Sequence, residues 1–178
     1  FVPKGDLVIY DFESPSMDWD VPQWAEDLDD HVVGSIERSE DFARNGKYSL
    51  KVNADFPGKM WTAAVIEVER YYDWGQFARI NCYIYLPEDA PKGLKGKMIL
   101  TVGDEWRFVE MKRSAYLMPG KWNLVSAELL PGSEDWKINK VDDNFRRDVR
   151  KFDIRVESNK SPVYAGPVYI DDVMLTGE

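Results

Sequence analysis

From Leu7 almost to its end, the chain alternates short strand-forming segments with turn residues, and no segment has a sustained helical period. Roughly ten strands at such spacing predict an all-β sandwich or barrel. The segments are uneven in length, which favours the sandwich, because a barrel needs strands that close neatly. We therefore expect a jelly-roll β-sandwich of two antiparallel sheets. The predicted strands are residues 7–13, 31–38, 48–52, 61–70, 79–86, 97–102, 106–114, 122–129, 151–157 and 166–175.

The last predicted strand is interrupted by a pair of aspartates, Asp171-Asp172. Strict alternation puts Asp171 on the same side as Val173 and Leu175, at the edge of the core. A carboxylate there needs a partner, because an unpaired buried charge is costly. The partner is either a salt bridge or backbone hydrogen bonds, or else a hard cation such as calcium, which binds carboxylate and carbonyl oxygens together.

A second acidic strand lies near the other end of the chain, where Asp11 and Glu13 flank Phe12. If the first and last strands are neighbours, Asp11, Glu13 and Asp171 can share one ion. These three residues are therefore the candidate calcium ligands.

Charge and residue counts exclude several function classes. A net charge of −9 argues against a nucleic-acid partner and against a membrane surface, because both require clustered Lys and Arg. His31 is the only histidine, which excludes most zinc sites and every Ser-His-Asp scheme not built on it. Cys82, the only cysteine, shares an apolar face with Ile80 and Ile84, which predicts an inert core thiol.

The length of 178 residues suits one domain. We expect residues 1–178 to form a single module cut from a longer protein, because the sequence has no initiator Met, signal peptide or long apolar run. Seven Trp, nine Tyr and eight Phe exceed what a core of this size needs. Some aromatic rings should therefore lie at the surface, where flat rings serve binding.

Four motifs resemble those of β-sandwich carbohydrate-binding modules: Asp-Phe-Glu at 11–13, Asn-Gly-Lys-Tyr-Ser-Leu-Lys-Val at 45–52, Pro-Gly-Lys-Trp-Asn at 119–123 and Gly-Pro-Val-Tyr-Ile-Asp-Asp-Val at 166–173. The chain length and the positions of Trp24 and Trp61 are most similar to family 27, the mannan-binding modules of bacterial β-mannanases. The resemblance implies an extracellular, monomeric, non-catalytic module. It would bind soluble β-1,4-mannan or mannooligosaccharides and target a covalently linked mannanase.

The same resemblance implies a structural calcium at Asp11, Glu13 and Asp171, with a backbone oxygen near Lys47 contributing. If the strand order is that of a jelly roll, the strands at 61–69, 97–102, 106–112 and 151–157 form one sheet. The resemblance implies that this sheet is concave and binds the sugar.

Sugar recognition needs exposed flat rings beside planar polar groups, because a pyranose stacks its C–H face and pairs its hydroxyls. Trp61 lies opposite the apolar face of its strand, where the small Ala63 and Val65 predict a shallow trough that ends at Glu67. The alternative is that Trp61 packs under a loop.

Two further tryptophans are candidates for stacking. Trp24 lies in the acidic loop 18–30 beside Gln23, and the alternative is that it anchors this loop to the body. Trp106 shares a strand face with Glu110 and Lys112, whose burial would be costly, so that face is predicted to be open. The alternative for Trp106 is a core position.

The strand 151–157 offers polar partners for a sugar. Asp153 and Arg155 alternate with apolar residues and face outwards, where they suit hydroxyl contacts or form a plain solvated face.

The remaining tryptophans are assigned mainly to structure. Trp19 is expected to anchor the 18–30 loop, Trp74, which lies near a bend, to be structural, and Trp122 to lie in the core. Trp136 competes with Trp106 as the third ring of the platform.

Three other hypotheses for the function stay open. One is a module of the same fold that binds a different β-glycan, either glucan or xylan. The second is a jelly-roll glycosidase or lyase, for which a carboxylate pair such as Glu67 and Asp153 is available. The third is a protein-interaction or cell-adhesion sandwich, which calcium and exposed aromatic rings would also fit.

Overall fold

The computed structural model describes residues 5–177, and nearly all of its regular structure is β-strand. Residues 1–4 and 178, the two ends of the predicted module 1–178, lie outside the described residues. Within the described range no helix has the length and apolarity that a membrane crossing requires. The elements are β1 Leu7–Tyr10, α1 Gln23–Glu26, β2 Val33–Ser39, β3 Ser49–Phe56, β4 Trp61–Tyr72, β5 Arg79–Leu86, β6 Lys95–Val102, β7 Arg107–Glu110, β8 Ala115–Tyr116, β9 Lys121–Glu128, β10 Val149–Asn159 and β11 Tyr164–Thr176.

The strands form two antiparallel sheets. The six-stranded sheet has the order β2-β3-β11-β5-β9, and β1 pairs with β11 beyond the end of β3. The five-stranded sheet has the order β4-β10-β6-β7, with β8 paired to β6. The jelly-roll β-sandwich predicted from the sequence is confirmed, and so is the grouping of the four predicted sugar-binding strands in one sheet.

The core lies between the sheets and is built from alternate apolar residues of the long strands. On β5, Ile80, Cys82 and Ile84 are fully buried, as expected. Burial raises the pKa of the Cys82 thiol, which keeps it protonated and inert.

Two tryptophans close one end of this core. Trp19 packs edge-on against Tyr10 and Phe152, with ring centroids 5.3 and 5.6 Å apart. Trp74 packs edge-on against Phe152 at 5.8 Å. Both rings are buried, so the structural roles predicted for Trp19 and Trp74 are confirmed.

The predicted core position of Trp122 is wrong. Trp122 pairs with Tyr85 across β9 and β5, one residue out of step with the core residue Ile84 and its partner Asn123. Its ring is half-buried and packs against the Tyr85 ring, with centroids 5.4 Å apart. Trp122 therefore lies on the outer surface of the six-stranded sheet.

The closing strand β11 breaks alternation at Asp171-Asp172. β3 pairs with β11 up to Ile170 and β1 pairs with it from Val173, so the first and last strands are neighbours, as predicted. Between these ladders the register to β5 shifts, and Asp172 has a left-handed φ of 45°. Because of this bulge, Ile170 and Val173 both face the core although they are three residues apart. The prediction that Asp171 shares the face of Val173 is therefore wrong; Asp171 pairs with Tyr83 and points away from the core.

Two predicted strands are shorter than expected because a residue leaves the extended region. β1 ends at Tyr10, since Phe12 has a φ of 61°. β7 begins at Arg107, since Trp106 has a φ of 54°, and it ends at Glu110. As a result Asp11, Glu13 and Trp106 lie in loops rather than in strands.

Candidate functional site

The outer surface of the five-stranded sheet gathers the three tryptophans predicted to bind, together with Phe108. We call it the aromatic face and define it by Trp24, Trp61, Trp106 and Phe108. Strand alternation places Trp61 on β4 and Phe108 on β7 on the side away from the core. Trp24 comes from α1, and Trp106 from the turn before β7.

The segment before β2 covers part of this face. Backbone hydrogen bonds of 2.8 Å in both directions join Asp20 to Glu67 at the edge of β4. The following helix α1 then places Ala25 against Ala63 and Val65, and all three are buried. The prediction that Ala63 and Val65 leave an open trough is therefore wrong, because Ala25 fills it.

Trp24 is held at the surface by a specific polar contact. Its side chain is 37% exposed, and its indole N–H donates to Glu67 Oε2 at 3.0 Å. The ring packs edge-on against Phe108, with centroids 5.9 Å apart. Trp24 therefore presents an oriented, partly open ring and also ties the loop to the sheet. Gln23 is exposed beside it and donates to Asp27 within the loop at 2.8 Å.

Trp61 lies at the start of β4, half-buried against the cluster of Ala25, Ala63 and Val65. The guanidinium of Arg155 lies over its ring, 5.2 Å from the centroid. A small cavity of about 40 Å³ is lined by Trp24, Trp61, Leu28 and Arg155 among others. The two tryptophans predicted from the sequence are thus brought to one place.

Trp106 also lies at the surface, where 40% of its area is exposed. It packs edge-on against Tyr71 with centroids 6.2 Å apart, and the Arg150 guanidinium lies 5.1 Å from its ring. Trp136 is 0% exposed and donates its indole N–H to the Glu128 carbonyl at 2.7 Å. Trp136 is therefore a core residue, and Trp106 is the remaining candidate for the third ring.

A network of paired charges lies beside the rings. Arg155 donates to Glu110 Oε2 at 2.8 Å and to Glu157 Oε2 at 3.1 Å. Lys97 is 3.8 Å from Glu110, and the Ser114 hydroxyl donates to Glu157 Oε1 at 2.6 Å. Lys137 also pairs with Glu110, so every charged group of the network has a partner of opposite charge, and the network offers planar donors and acceptors to a ligand.

Asp153 does not have the accessible position that was predicted for hydroxyl contacts. It faces away from the core, between Glu67 on β4 and Ile99 on β6, but it is only 1% exposed. Neither of its carboxyl oxygens has a hydrogen-bond partner. Burial raises the pKa of Asp153 strongly, and the neighbouring Glu67 carboxylate raises it further. These surroundings favour the protonated form of the Asp153 carboxyl group, which lies beneath the sheet surface.

The candidate calcium ligands converge on the turn 44–48. Glu13 accepts the backbone N–H groups of Lys47 and Tyr48 at 2.8 and 2.9 Å. Asp171 accepts that of Arg44 at 2.8 Å, and burial raises the pKa of Asp171 to about 6.

These contacts give Asp171 the backbone hydrogen bonds that were the alternative to a cation, although each carboxylate oxygen keeps a second lone pair. The Asp11 carboxylate accepts the N–H of Glu13 at 3.0 Å. Within residues 5–177, no group of three or more His, Cys, Asp or Glu side chains is placed to hold a metal ion. Calcium binding through Asp11, Glu13, Lys47 and Asp171 stays a prediction.

Comparison with known proteins gives structural matches. No protein-family model and no curated protein matches the chain. Among solved structures, the CBM27-1 module of Caldicellulosiruptor saccharolyticus in complex with mannohexaose is similar, with a TM-score of 0.67, 19% identity and coverage of 97% of each chain. The chain has the fold of β-sandwich carbohydrate-binding modules.

Modules with other ligands share this carbohydrate-binding-module fold. A CBM28 module specific for non-crystalline cellulose has a TM-score of 0.65 at 17% identity, covering 99% of this chain and 98% of that one. The family 11 module of Lic26A-Cel5E from Clostridium thermocellum has a TM-score of 0.63 at 13% identity, covering 99% and 96%. At such identities the likeness establishes the fold, and the resemblance inferred from the sequence is confirmed at that level.

Sequence reasoning did not single out Phe108, which packs against Trp24 and is 49% exposed. The signal was present, because Phe108 shares strand parity with Glu110. The exposed Tyr71, which packs on Trp106, was also missed, because it follows the predicted end of its strand.

Proposed function

We propose that the chain is a non-catalytic carbohydrate-binding module that holds β-1,4-mannan or mannooligosaccharide chains on the aromatic face. The observation that carries the proposal is the grouping of Trp24, Trp61 and Trp106 on one sheet surface beside the Arg155 network. A similar fold was solved with mannohexaose bound, which supports this ligand class.

The chemistry of the face suits a neutral polyhydroxylated chain. Exposed rings stack on the C–H faces of sugar units, and three tryptophans on one sheet surface can contact several units of one chain. Hydroxyls can pair with the carboxylates of Glu110 and Glu157 and with the guanidinium of Arg155. Because each of these charges already has a partner of opposite charge, an anionic polymer gains little there.

A second candidate is a different β-glycan on the same face, since modules of this fold include one specific for non-crystalline cellulose and one solved with a β-1,3-1,4-mixed-linked tetrasaccharide. Stacking depends on the shape of the sugar ring, so only a few polar contacts distinguish the stereochemistry of one sugar from that of another. Affinity electrophoresis on galactomannan, glucomannan, xylan and cellulose derivatives separates the two candidates. Retardation by the mannans above the others is expected; stronger retardation by cellulose derivatives would assign the face to glucan.

The carboxylate pair does not favour a glycosidase. Glycoside hydrolysis requires two carboxyl groups that both reach the glycosidic bond. Asp153 is buried beneath the surface beside Glu67, so this pair cannot flank a substrate in the present arrangement. Release of reducing ends from mannan or glucan by the purified chain would overturn the non-catalytic proposal.

The setting of the module is proposed from the family resemblance. We propose that it acts extracellularly as a monomer, covalently linked to a glycoside hydrolase such as a β-mannanase. A structural calcium at the turn 44–48 belongs to the same proposal, supported by the convergence of Glu13 and Asp171 on that turn.

A further inference from the structure

Two carboxyl groups lie side by side beneath the part of the aromatic face that carries Trp24. Asp153 on β10 is the register partner of Glu67 on β4, and strand alternation points both side chains away from the core. Asp153 is 1% exposed and Glu67 is 9% exposed. The two groups are therefore neighbours in a place from which water is largely excluded.

The donors around this pair contact Glu67. The Trp24 indole N–H donates to Glu67 Oε2 at 3.0 Å, and the Lys151 ammonium lies 3.7 Å from Glu67 Oε1. Among the described residues no donor is bonded to either oxygen of Asp153, whose register partner on β6 is the apolar Ile99. Glu67 is therefore the ionised member of the pair and Asp153 the protonated one, because an unpaired buried charge is costly.

A proton on Asp153 gives the pair a hydrogen bond that two carboxylates cannot form. The protonated carboxyl group has one O–H donor, and the neighbouring Glu67 carboxylate accepts it. Glu67 is then bonded to Asp153 as well as to Trp24. An ionised Asp153 would instead repel the Glu67 carboxylate and disturb the acceptor of the Trp24 indole.

We propose that Asp153 is a positioning residue for sugar binding: it donates its carboxyl proton to Glu67, and Glu67 holds the Trp24 ring in its binding orientation. Asp153 lies too deep to contact the sugar itself. The link between Trp24 and the glycan rests on the proposed function. The link from Asp153 through Glu67 to Trp24 rests on the strand register and the hydrogen bonds of this chain.

The proposal makes sugar affinity depend on pH, because ionisation of Asp153 at high pH removes the donor to Glu67. Further charged groups surround the pair on the elements packed against it: Lys151 and Arg155 on β10, Glu69 on β4, Lys97 on β6, Glu110 on β7 and Asp20 on the segment that covers β4. Burial lowers the pKa of Lys97, so Lys97 can lose its charge in the same alkaline range. A pH effect is therefore assigned to Asp153 only if it disappears when Asp153 is replaced.

Two variants of nearly equal size separate the donor from the packing. Asp153→Asn keeps an N–H donor for Glu67, whereas Asp153→Leu fills the same space without a donor. Both side chains are uncharged at every pH, so neither variant introduces an unpaired charge. Melting temperatures establish that each protein is folded at each pH used.

The first experiment is calorimetric titration with mannohexaose between about pH 6 and about pH 10. Near neutral pH, Asp153→Leu should bind about three- to ten-fold more weakly than the wild type, because a ring that is not held must be ordered on binding. Asp153→Asn should restore the affinity. As pH rises, the wild type should weaken towards Asp153→Leu, and Asp153→Asn should not.

Three results of this titration would overturn the proposal. Equal affinities of the three proteins would show that Asp153 has no influence on binding. An equal loss in both variants would assign Asp153 to packing alone. A pH slope as steep in Asp153→Asn as in the wild type would assign the titration to another group, such as Lys97.

The second experiment tests the positioning of Trp24 without a ligand. The indole N–H signal of Trp24 is identified in NMR spectra by its loss in Trp24→Phe, and its exchange with solvent is measured near neutral pH. Slow exchange in the wild type and Asp153→Asn with faster exchange in Asp153→Leu supports the proposal, and equal exchange in all three overturns it. If the wild type does not bind mannohexaose, the proposed function fails, and this second experiment alone decides the role of Asp153.

Discussion

The indole N–H of Trp24 donates to Glu67 Oε2 at 3.0 Å, linking the loop that precedes β2 to the edge strand of the aromatic face. The same Glu67 is joined to Asp20 through the backbone. The orientation of the Trp24 ring is therefore fixed before any ligand arrives. Pre-orientation lowers the entropy that binding must otherwise remove.

Trp24→Phe should weaken mannohexaose binding by about ten-fold. Phenylalanine keeps a ring but loses the donor to Glu67, so its ring is no longer held in place before binding. Ordering a side chain on binding costs about 0.5–1.5 kcal/mol, and about 1.4 kcal/mol is a factor of ten in affinity. Titration calorimetry measures the change. Trp122→Phe, on the opposite sheet, is the matched control and should leave affinity unchanged. An equal loss in both variants would contradict a role of Trp24 in binding.

Trp106 and Trp136 should respond in opposite ways to truncation. Trp136→Ala empties a core position and should cost about 3–5 kcal/mol in the free energy of unfolding. Trp106→Ala should cost much less stability, because its ring is 40% exposed, but should weaken binding several-fold. Urea denaturation and calorimetry together test this. Unchanged affinity of Trp106→Ala would remove it from the platform.

Asp153→Asn should flatten the pH dependence of stability. Burial, together with the neighbouring Glu67 carboxylate, raises the pKa of Asp153 well above its ordinary value of 3.8, so above that value the folded chain holds a proton that the unfolded chain has released. The free energy of unfolding of the wild type therefore falls as pH rises through this window, and D153N lacks that slope. The difference in the free energy of unfolding between the two proteins should therefore change steadily in one direction from about pH 5 to about pH 9.

Urea denaturation at pH 5, 7 and 9 measures this difference. Glu67→Gln serves as the control and should keep most of the slope, because burial is the larger cause of the shift. Parallel pH profiles of the wild type and D153N would show that Asp153 is ionised in the folded chain.

Removal of calcium by a chelator should lower the melting temperature. A ligand that binds only the folded state stabilises it, and added calcium should restore the original value. Mannohexaose affinity well below melting should change little, because Glu13 and Asp171 lie on the six-stranded sheet's side of the sandwich, not on the aromatic face. Identical melting curves with chelator and with calcium would reject the metal site.

The strand positions could be predicted because alternation and turn residues are local properties of the chain. The grouping of four strands in the five-stranded sheet followed from the jelly-roll order, and the sugar-binding role of that sheet from the family resemblance alone. The bulge at Asp171 could not be predicted, since one inserted residue reverses the face without altering composition. The four-residue helix α1 is too short to show a period, so the burial of Ala63 under Ala25 had no local signal. Alternation of side chains along the strand correctly predicted that Asp153 faces away from the core, but it did not indicate that the carboxyl group is buried.

Mannohexaose titration into the wild type and Trp61→Ala tests the central claim, that the aromatic face binds the glycan. Aromatic stacking of a nucleic-acid base on protein contributes about 1–3 kcal/mol and is a rough analogue for a sugar ring. The variant should therefore bind roughly ten- to a hundred-fold more weakly. Its loss of stability should stay below the about 3–5 kcal/mol expected for a fully buried tryptophan. Affinity within two-fold of the wild type, or a large stability loss without a specific loss of affinity, would contradict the claim.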